Sequence, residues 1–361
     1  MNMTAPRRPM EIVILGLSLS SAWGNGHATT FRALIKGLAA EGHRVLFLER
    51  DVPWYAPHRD LPDPDFCELV LYSDPDAMLA EYGDRLRAAD SVMIGSYVPD
   101  GIALIDRLAA MGLRQFTFYD IDTPVTLQAL DDGTCEYLAA RQIPLFDIYF
   151  SFAGGAVLTH LHDVRGARRA EALFCSVDEA LYPSQPEMTK RWDLGYLGTY
   201  SPDRQPTLEA LLLEPARRLP EMRFVVAGPQ YPADIDWPAN VDRIEHLPPA
   251  EHPDFYNAQR FTLNVTRAAM RRMGWSPSVR LFEAGACGVP VISDDWPGLD
   301  EMFPDGQAIL IAGGTEDVVR GLEKDARRIG EEARRIVLNQ HTGRARARDM
   351  IHAMTTHPAT I

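Results

Sequence analysis

Residues 275–297, WSPSVRLFEAGACGVPVISDDWP, read as a helix followed by a buried strand. Ser276 suits a helix N-cap, and Pro277 suits the first helical position. Val279, Phe282 and Ala286 recur at helical spacing, giving one face that can pack on a sheet. Gly288 is placed to end the helix in a left-handed turn, and Pro290 stops its continuation. Val289, Val291 and Ile292 then make a short apolar run, suited to a strand covered on both faces.

Two charged residues, Arg280 and Glu283, sit in this segment. Charged side chains on a helix usually face solvent. Here Gly285, Ala286, Cys287 and Gly288 remove bulk just after Glu283, so another backbone or a ligand can approach closely. The N–H groups near Ser276 and Ser278 would make an anion site. A carboxylate one to two turns further along could accept hydrogen bonds from sugar hydroxyls. Together these are the parts of a pocket for a nucleoside diphosphate.

The same alternation extends in both directions. Residues 12–16 form an apolar strand, residues 17–26 a loop, and Phe31, Leu34, Ile35 and Leu38 mark a helix that Gly42 ends. Residues 45–48 are the next strand, which completes the strand–helix–strand unit of a parallel sheet. Strands at 91–95, 115–119 and 147–152 follow, with a helix near 102–111. Residues 53–64, rich in proline and aromatics, form a long loop folded over the domain surface or a cleft mouth. Residues 180–193 are polar, hold two prolines and fit an interdomain linker. The pattern then restarts, with strands at 194–197, 224–227, 241–245, 261–265 and 308–311 and a helix at 208–218. Residues 316–354 are helical, with a charge pattern that suits a solvated face. Two doubly wound halves, 1–185 and 186–361, are therefore expected, with ligands at the strand carboxyl ends.

Composition narrows the function. The length of 361 residues allows two domains, and 46% apolar with 24% charged residues is ordinary for a globular protein. A net charge of −14 argues against a nucleic-acid partner. No apolar run is long enough to span a bilayer. Glu11 interrupts the first apolar segment, which therefore reads as a strand rather than a signal peptide. Cys67, Cys135, Cys175 and Cys287 are widely spaced and form no CxxC pair. They read as reduced thiols of a cytoplasmic protein, with no metal site and no cofactor.

SPSVRLFEAGACGVPVIS resembles the nucleotide-sugar motif of GT-B glycosyltransferases, in particular the CgeB-like (spore-maturation-protein-like) group related to GT4. The resemblance covers nearly the whole chain. It implies two Rossmann-like domains in a GT-B arrangement, with the active site in the cleft and the last helix returning to the first domain. It implies transfer of a sugar from a nucleoside-diphosphate donor to an acceptor, without a metal and with retention of configuration. The acceptor and the oligomeric state are not indicated, and a lipid acceptor would bring the protein to a membrane surface. One position departs from the pattern: many GT4 enzymes have a second Glu eight positions before the ribose-binding one, where this chain has Trp275. Two other classes fit the same residues, a nucleotide-sugar epimerase or hydrolase of GT-B shape and a non-catalytic sugar-nucleotide-binding protein.

Further residues follow from that resemblance. LGTYSPDRQP, residues 197–206, is similar to the GT4 loop that carries a glycine, an Arg and a Lys. Gly198 matches, Thr199 replaces the Arg, and Arg204 stands at the Lys position, with Tyr200 between. Arg267 can supply the other cation. Gly228 ends a strand where GT4 backbones approach the nucleotide, and His246 begins a loop placed along the nucleobase. Glu283 would hold the ribose, while Arg204, Arg267 and the helix start near Ser278 would meet the diphosphate, with Arg280 nearby.

In the first half, GNGHAT comes close to GxGxxG, with Glu49 roughly twenty residues on. The turn from Gly16 to Gly24 is too long for that fingerprint, so Gly24, Gly26 and His27 read instead as a cleft loop. Asp120 and Asp122, in YDIDTP, end a strand on the acceptor side. His27, Asp122 and Asp120 are the candidate catalytic groups. A satisfied core histidine, and Asp122 as cap of a helix beginning at Pro124, are the structural alternatives.

Overall fold

The computed structural model describes residues 8–23 and 26–356. It divides into two compact units, Met1–Ser176 together with Gly343–Ile361, and Val177–Thr342. Both are parallel sheets joined by helices.

Among its described residues the first unit has seven strands: β1 (Glu11–Gly16), β2 (Arg44–Arg50), β3 (Glu68–Tyr72), β4 (Ser91–Gly95), β5 (Phe116–Asp120), β6 (Ile148–Ser151) and β7 (Ala170–Ala172). Helices α1 (His27–Ala40), α2 (Pro75–Ala88), α3 (Gly101–Ala109), α4 (Thr123–Asp131) and α5 (Ala156–Asp163) lie between them. The strand order is β3-β2-β1-β4-β5-β6-β7. It reverses direction between β1 and β4, where the strand carboxyl ends leave a crevice in folds of this kind. The central strands β4 and β5 are buried along their whole length, which is why they read as unbroken apolar runs.

The second unit has six strands: β8 (Trp192–Leu197), β9 (Phe224–Ala227), β10 (Val241–Ile244), β11 (Gln259–Asn264), β12 (Val291–Ser293) and β13 (Ile309–Ile311). Their order is β10-β9-β8-β11-β12-β13, with the reversal between β8 and β11. Its helices are α6 (Gln205–Leu208), α7 (Glu214–Arg218), α8 (His252–Asn257), α9 (Ala268–Met273), α10 (Val279–Ala286), α11 (Leu299–Met302), α12 (Thr315–Leu322) and α13 (Ala326–Gln340). A π-helical turn, Glu209–Leu213, joins α6 to α7. Pro215 lies in the first turn of α7 and has no N–H to donate into a regular ladder.

The last helix among the described residues is α14 (Gly343–Thr355), which packs on α1 in the first unit. The two helices cross through glycines. A Cβ on Gly37 would fall 2.2 Å from the Gly343 carbonyl oxygen, and one on Gly343 would fall 1.9 Å from that of Ala33. Backbone meets backbone here, so neither position accepts a side chain.

Two readings differ from the structure. The helix after Trp275 begins at Val279 rather than Pro277, because the cap is Ser278, whose hydroxyl accepts from the Arg280 N–H. Ser276 instead donates its hydroxyl to the Gly274 carbonyl. Residues 316–354 are helical as expected, divided among α12, α13 and α14. Residues 180–193 are no free linker: Tyr182 donates to Glu283, and Asn257 accepts from the Gln185 N–H and donates to the Pro183 carbonyl. These bonds draw the segment into the second unit, which begins at Val177 rather than at residue 186.

Candidate functional site

In the second unit the predicted residues collect at the carboxyl edge of the sheet. Arg280, on the first turn of α10, is buried against β8 and β11. Its guanidinium donates from Nε and Nη2 to the Leu197 carbonyl and from Nη1 to Oδ1 of Asn264, at 2.8 Å for the last. It also lies over the Tyr196 ring, 5.0 Å from the ring centre. Arg280 thus fastens the ends of β8 and β11, the strands between which the order reverses. Its partners are protein groups, so it clamps the two strand ends together.

Glu283 lies one turn further along α10 and is only 6% exposed. One carboxylate oxygen accepts from the Tyr182 hydroxyl at 2.8 Å, the other from the Tyr256 hydroxyl at 2.9 Å. Burial, then the adjacent carboxylate, holds both phenols well above their usual range. Each carboxylate oxygen keeps a second lone pair. The two tyrosines therefore orient the carboxylate without exhausting it.

Two loops beside this helix approach each other by backbone. Gly228, at φ 141°, follows β9, and a Cβ there would fall 2.1 Å from the Gly198 carbonyl oxygen. Glycine is required at this contact. Tyr231 donates to that same carbonyl and packs edge-on against Tyr200, ring centres 5.6 Å apart. Arg204 caps α6 and donates from Nη2 to the Thr199 carbonyl at 2.6 Å, while its Nε is enclosed without a hydrogen bond. Arg267, after β11, and His246, after β10, are exposed.

The carboxyl ends of β11 and β12 also hold a residue that the sequence did not single out. Asp294 is 2% exposed and accepts from the N–H and hydroxyl of Thr266, with the Arg271 guanidinium 3.5 Å away. Burial raises its carboxyl above the usual range. It fixes the loop that carries Arg267.

In the first unit the candidates cluster at the ends of β1, β4 and β5. Asp120 is fully buried and accepts from Thr126 and Tyr149, both at 2.6 Å. Burial pushes its carboxyl up to about 6. These bonds tie β5 to β6 and α4 within the core. Asp122 precedes α4, yet its side chain makes no cap bond. Its Oδ2 accepts from the Tyr97 hydroxyl at 3.4 Å. His27, in the first turn of α1, is 7% exposed with an unpartnered Nδ1. Burial depresses its imidazole to about 4, so it is neutral at physiological pH. Its ring meets Tyr97 edge-on at 5.2 Å.

Tyr97 therefore touches both His27 and Asp122. It stands at φ 63°, a left-handed conformation that is rare for a bulky residue and concentrates at functional sites. No residue pattern announces that angle, although the Pro99-Asp100-Gly101 turn beside it is visible in sequence. Gly24 lies outside the described residues. At Gly26 an added Cβ would meet nothing within 4 Å, so packing does not demand glycine there. Glu49 anchors the loop after β1 by accepting from the N–H groups of Leu19 and Ser20 and from the Ser20 hydroxyl. Among the described residues, no group of three or more His, Cys, Asp or Glu side chains is placed to hold a metal ion.

Sucrose-phosphate synthase from Thermosynechococcus elongatus superposes on this chain with a TM-score of 0.70 at 15% identity, over 95% of this chain and 98% of that one. An α-glucosyltransferase solved in complex with UDP gives 0.67 at 13% identity, over 96% and 100%. HepE of Anabaena, solved with UDP-glucose, gives 0.63 at 13% identity, over 96% and 99%. The fold is that of the GT-B glycosyltransferases. Residues 204–352 match the sequence family described as glycosyl transferase-like. No curated protein matches the chain at the sequence level.

The family match begins at Arg204 and runs into α14. It takes in Gly228, His246, Arg267, Ser278, Arg280 and Glu283, while Tyr200 and the first-unit candidates fall outside it. No helix among the described residues is long and apolar enough to cross a membrane.

Proposed function

We propose that the protein is a glycosyltransferase that moves a hexose from a nucleoside-diphosphate sugar, UDP-linked by preference, to an acceptor bound by the first unit. The observation that carries this reading is the glycosyl transferase-like match over residues 204–352, which takes in the loops and helix that hold Gly228, Arg204 and Glu283. Solved relatives of the same fold carry UDP or UDP-glucose. The CgeB-like resemblance of residues 276–293 points the same way.

In this reading Glu283 accepts hydrogen bonds from the ribose, with Tyr182 and Tyr256 fixing its orientation. The transition state has oxocarbenium character, and charge builds on the departing diphosphate. Arg204, whose Nε lacks a partner, and Arg267 balance that charge together with the N–H groups at Ser278. The proposed reaction needs no metal ion. It retains configuration at the transferred carbon, and His27 and Asp122 serve the acceptor. The four cysteines are free thiols, which suits a cytoplasmic site of action.

Incubation with a panel of labelled nucleotide sugars tests the reading. Sugar joined to an added acceptor supports it. A new epimer, or free sugar without transfer, moves the protein to the epimerase or hydrolase class. Binding without any turnover leaves a non-catalytic receptor.

A further inference from the structure

A second group of polar side chains lies at the carboxyl edge of the first sheet, on the other side of β1 from Asp122. Arg50 ends β2, Tyr72 ends β3, and the two are register partners. The Arg50 guanidinium lies 5.7 Å from the centre of the Tyr72 ring. Its Nη1 is 3.5 Å from Oδ2 of Asp100, the residue that leads into α3 after β4. The Arg50–Asp100 pair thus reaches from β2 to the β4–α3 loop, across the end of β1. That is the point where the strand order reverses.

This pair differs from a structural salt bridge in three ways. First, Arg50 Nη1 and Tyr72 Oη are both enclosed without a hydrogen bond, and Tyr72 is 6% exposed. Native proteins rarely leave buried donors unpaired, and each exception calls for a reason. Second, the Asp100 side chain is 57% exposed, so its carboxylate can leave the guanidinium for water. Third, Asp100 is held at φ 58°, a strained angle for a non-glycine residue, yet its carboxylate makes no cap bond to α3.

We propose that Arg50 and Tyr72 bind an anionic group, a carboxylate or a phosphate, of the molecule received by the first unit, and that Asp100 is its displaceable stand-in. An anion supplies what both orphaned donors lack, oxygen lone pairs that accept from a guanidinium and a phenol together. It also replaces the countercharge when Asp100 moves away, which a neutral hydroxyl would not do. That the anion belongs to a sugar acceptor rests on the proposed transferase reading. The anion site itself stands apart from that reading.

The full-length protein is titrated calorimetrically with inorganic phosphate and with acetate at fixed ionic strength. Wild type is compared with Arg50→Gln, Tyr72→Phe and Asp100→Asn. Phosphate bound elsewhere contributes equally to all four. Tyr72→Phe should weaken binding by about tenfold, the weight of a hydrogen bond to a charged group. Asp100→Asn should tighten it by about two- to fivefold, because a competing ion pair of modest strength is gone. Arg50→Gln should abolish it. Tyr72→Phe and Asp100→Asn are near-isosteric, so they decide the matter even if Arg50→Gln folds poorly. A response to phosphate alone assigns a phosphate site, and a response to acetate alone a carboxylate site. Identical isotherms in all four proteins would overturn the proposal, whether or not sugar transfer is observed. Residue-dependent binding in a protein that transfers no sugar would leave the anion site standing and remove only its link to an acceptor.

Discussion

Tyr97 donates its hydroxyl to Oδ2 of Asp122 at 3.4 Å from a backbone held at φ 63°. The strained residue joins the ends of β4 and β5 and presents its ring to His27. If these three residues serve the acceptor, Asp122→Asn and Tyr97→Phe should lower kcat while the donor dissociation constant stays unchanged. A loss of about 10²-fold or more is the scale for a proton-transfer group. Steady-state rates measured beside donor calorimetry make the separation. Wild-type kcat in both variants would leave the first unit without a named catalytic group.

His27 gives an acid-side dependence of stability. Its imidazole is depressed to about 4 by burial, so the unfolded chain binds the extra proton between there and the ordinary histidine range. Stability should fall as pH drops through that window. At pH 5 the loss relative to neutral pH is about 2 kcal/mol. His27→Gln, which does not titrate, should lack it. Urea unfolding of both proteins at pH 5 and pH 7.5 measures the difference.

Asp120 acts with the opposite sign. Its carboxyl is raised to about 6 by burial, so the folded protein holds a proton that the unfolded chain has released. Stability from this group should fall as pH rises from about 4 to about 6, partly cancelling His27 in the wild type. Asp120→Asn should remove the slope and expose the histidine contribution. Unfolding curves across that range that match wild type would show that Asp120 is not protonated in the fold.

Glu283 is best tested by the glutamine variant. Alanine would leave the hydroxyls of Tyr182 and Tyr256 without an acceptor, and an unsatisfied buried group costs about 1–3 kcal/mol of stability. Glu283→Gln keeps the shape and removes the charge. UDP affinity should drop by about tenfold or more, the weight of a charged hydrogen bond. Unchanged affinity in the folded variant would take Glu283 out of the nucleotide site.

The periodicity of residues 12–16 and 31–38 revealed a doubly wound start because strands covered on both faces are unbroken apolar runs. Edge strand β3 gives no such run, since its burial is mixed along its length. The helix starts two residues beyond the expected position because Ser276 and Ser278 are equally good caps in sequence, and only the hydrogen bonds of the fold distinguish them. Arg280 looked like a ligand group, yet its partners Leu197 and Asn264 come from strands distant in sequence. Tyr182 stands 101 positions from the carboxylate it orients. Tyr97 was invisible because its significance lies in a backbone angle and not in its residue type.

The most direct measurement is transfer itself. The full-length protein is incubated with UDP-glucose carrying a labelled sugar, with EDTA present, and with a panel of sugar, lipid and peptide acceptors. Product is followed by mass, and the anomeric configuration of the new bond by NMR. Labelled product is expected in the presence of EDTA, with the donor's configuration retained and with loss of product in Glu283→Gln. Product that disappears with EDTA and returns with manganese would contradict the metal-free mechanism. Failure of every nucleotide sugar to bind or react would contradict the transferase itself.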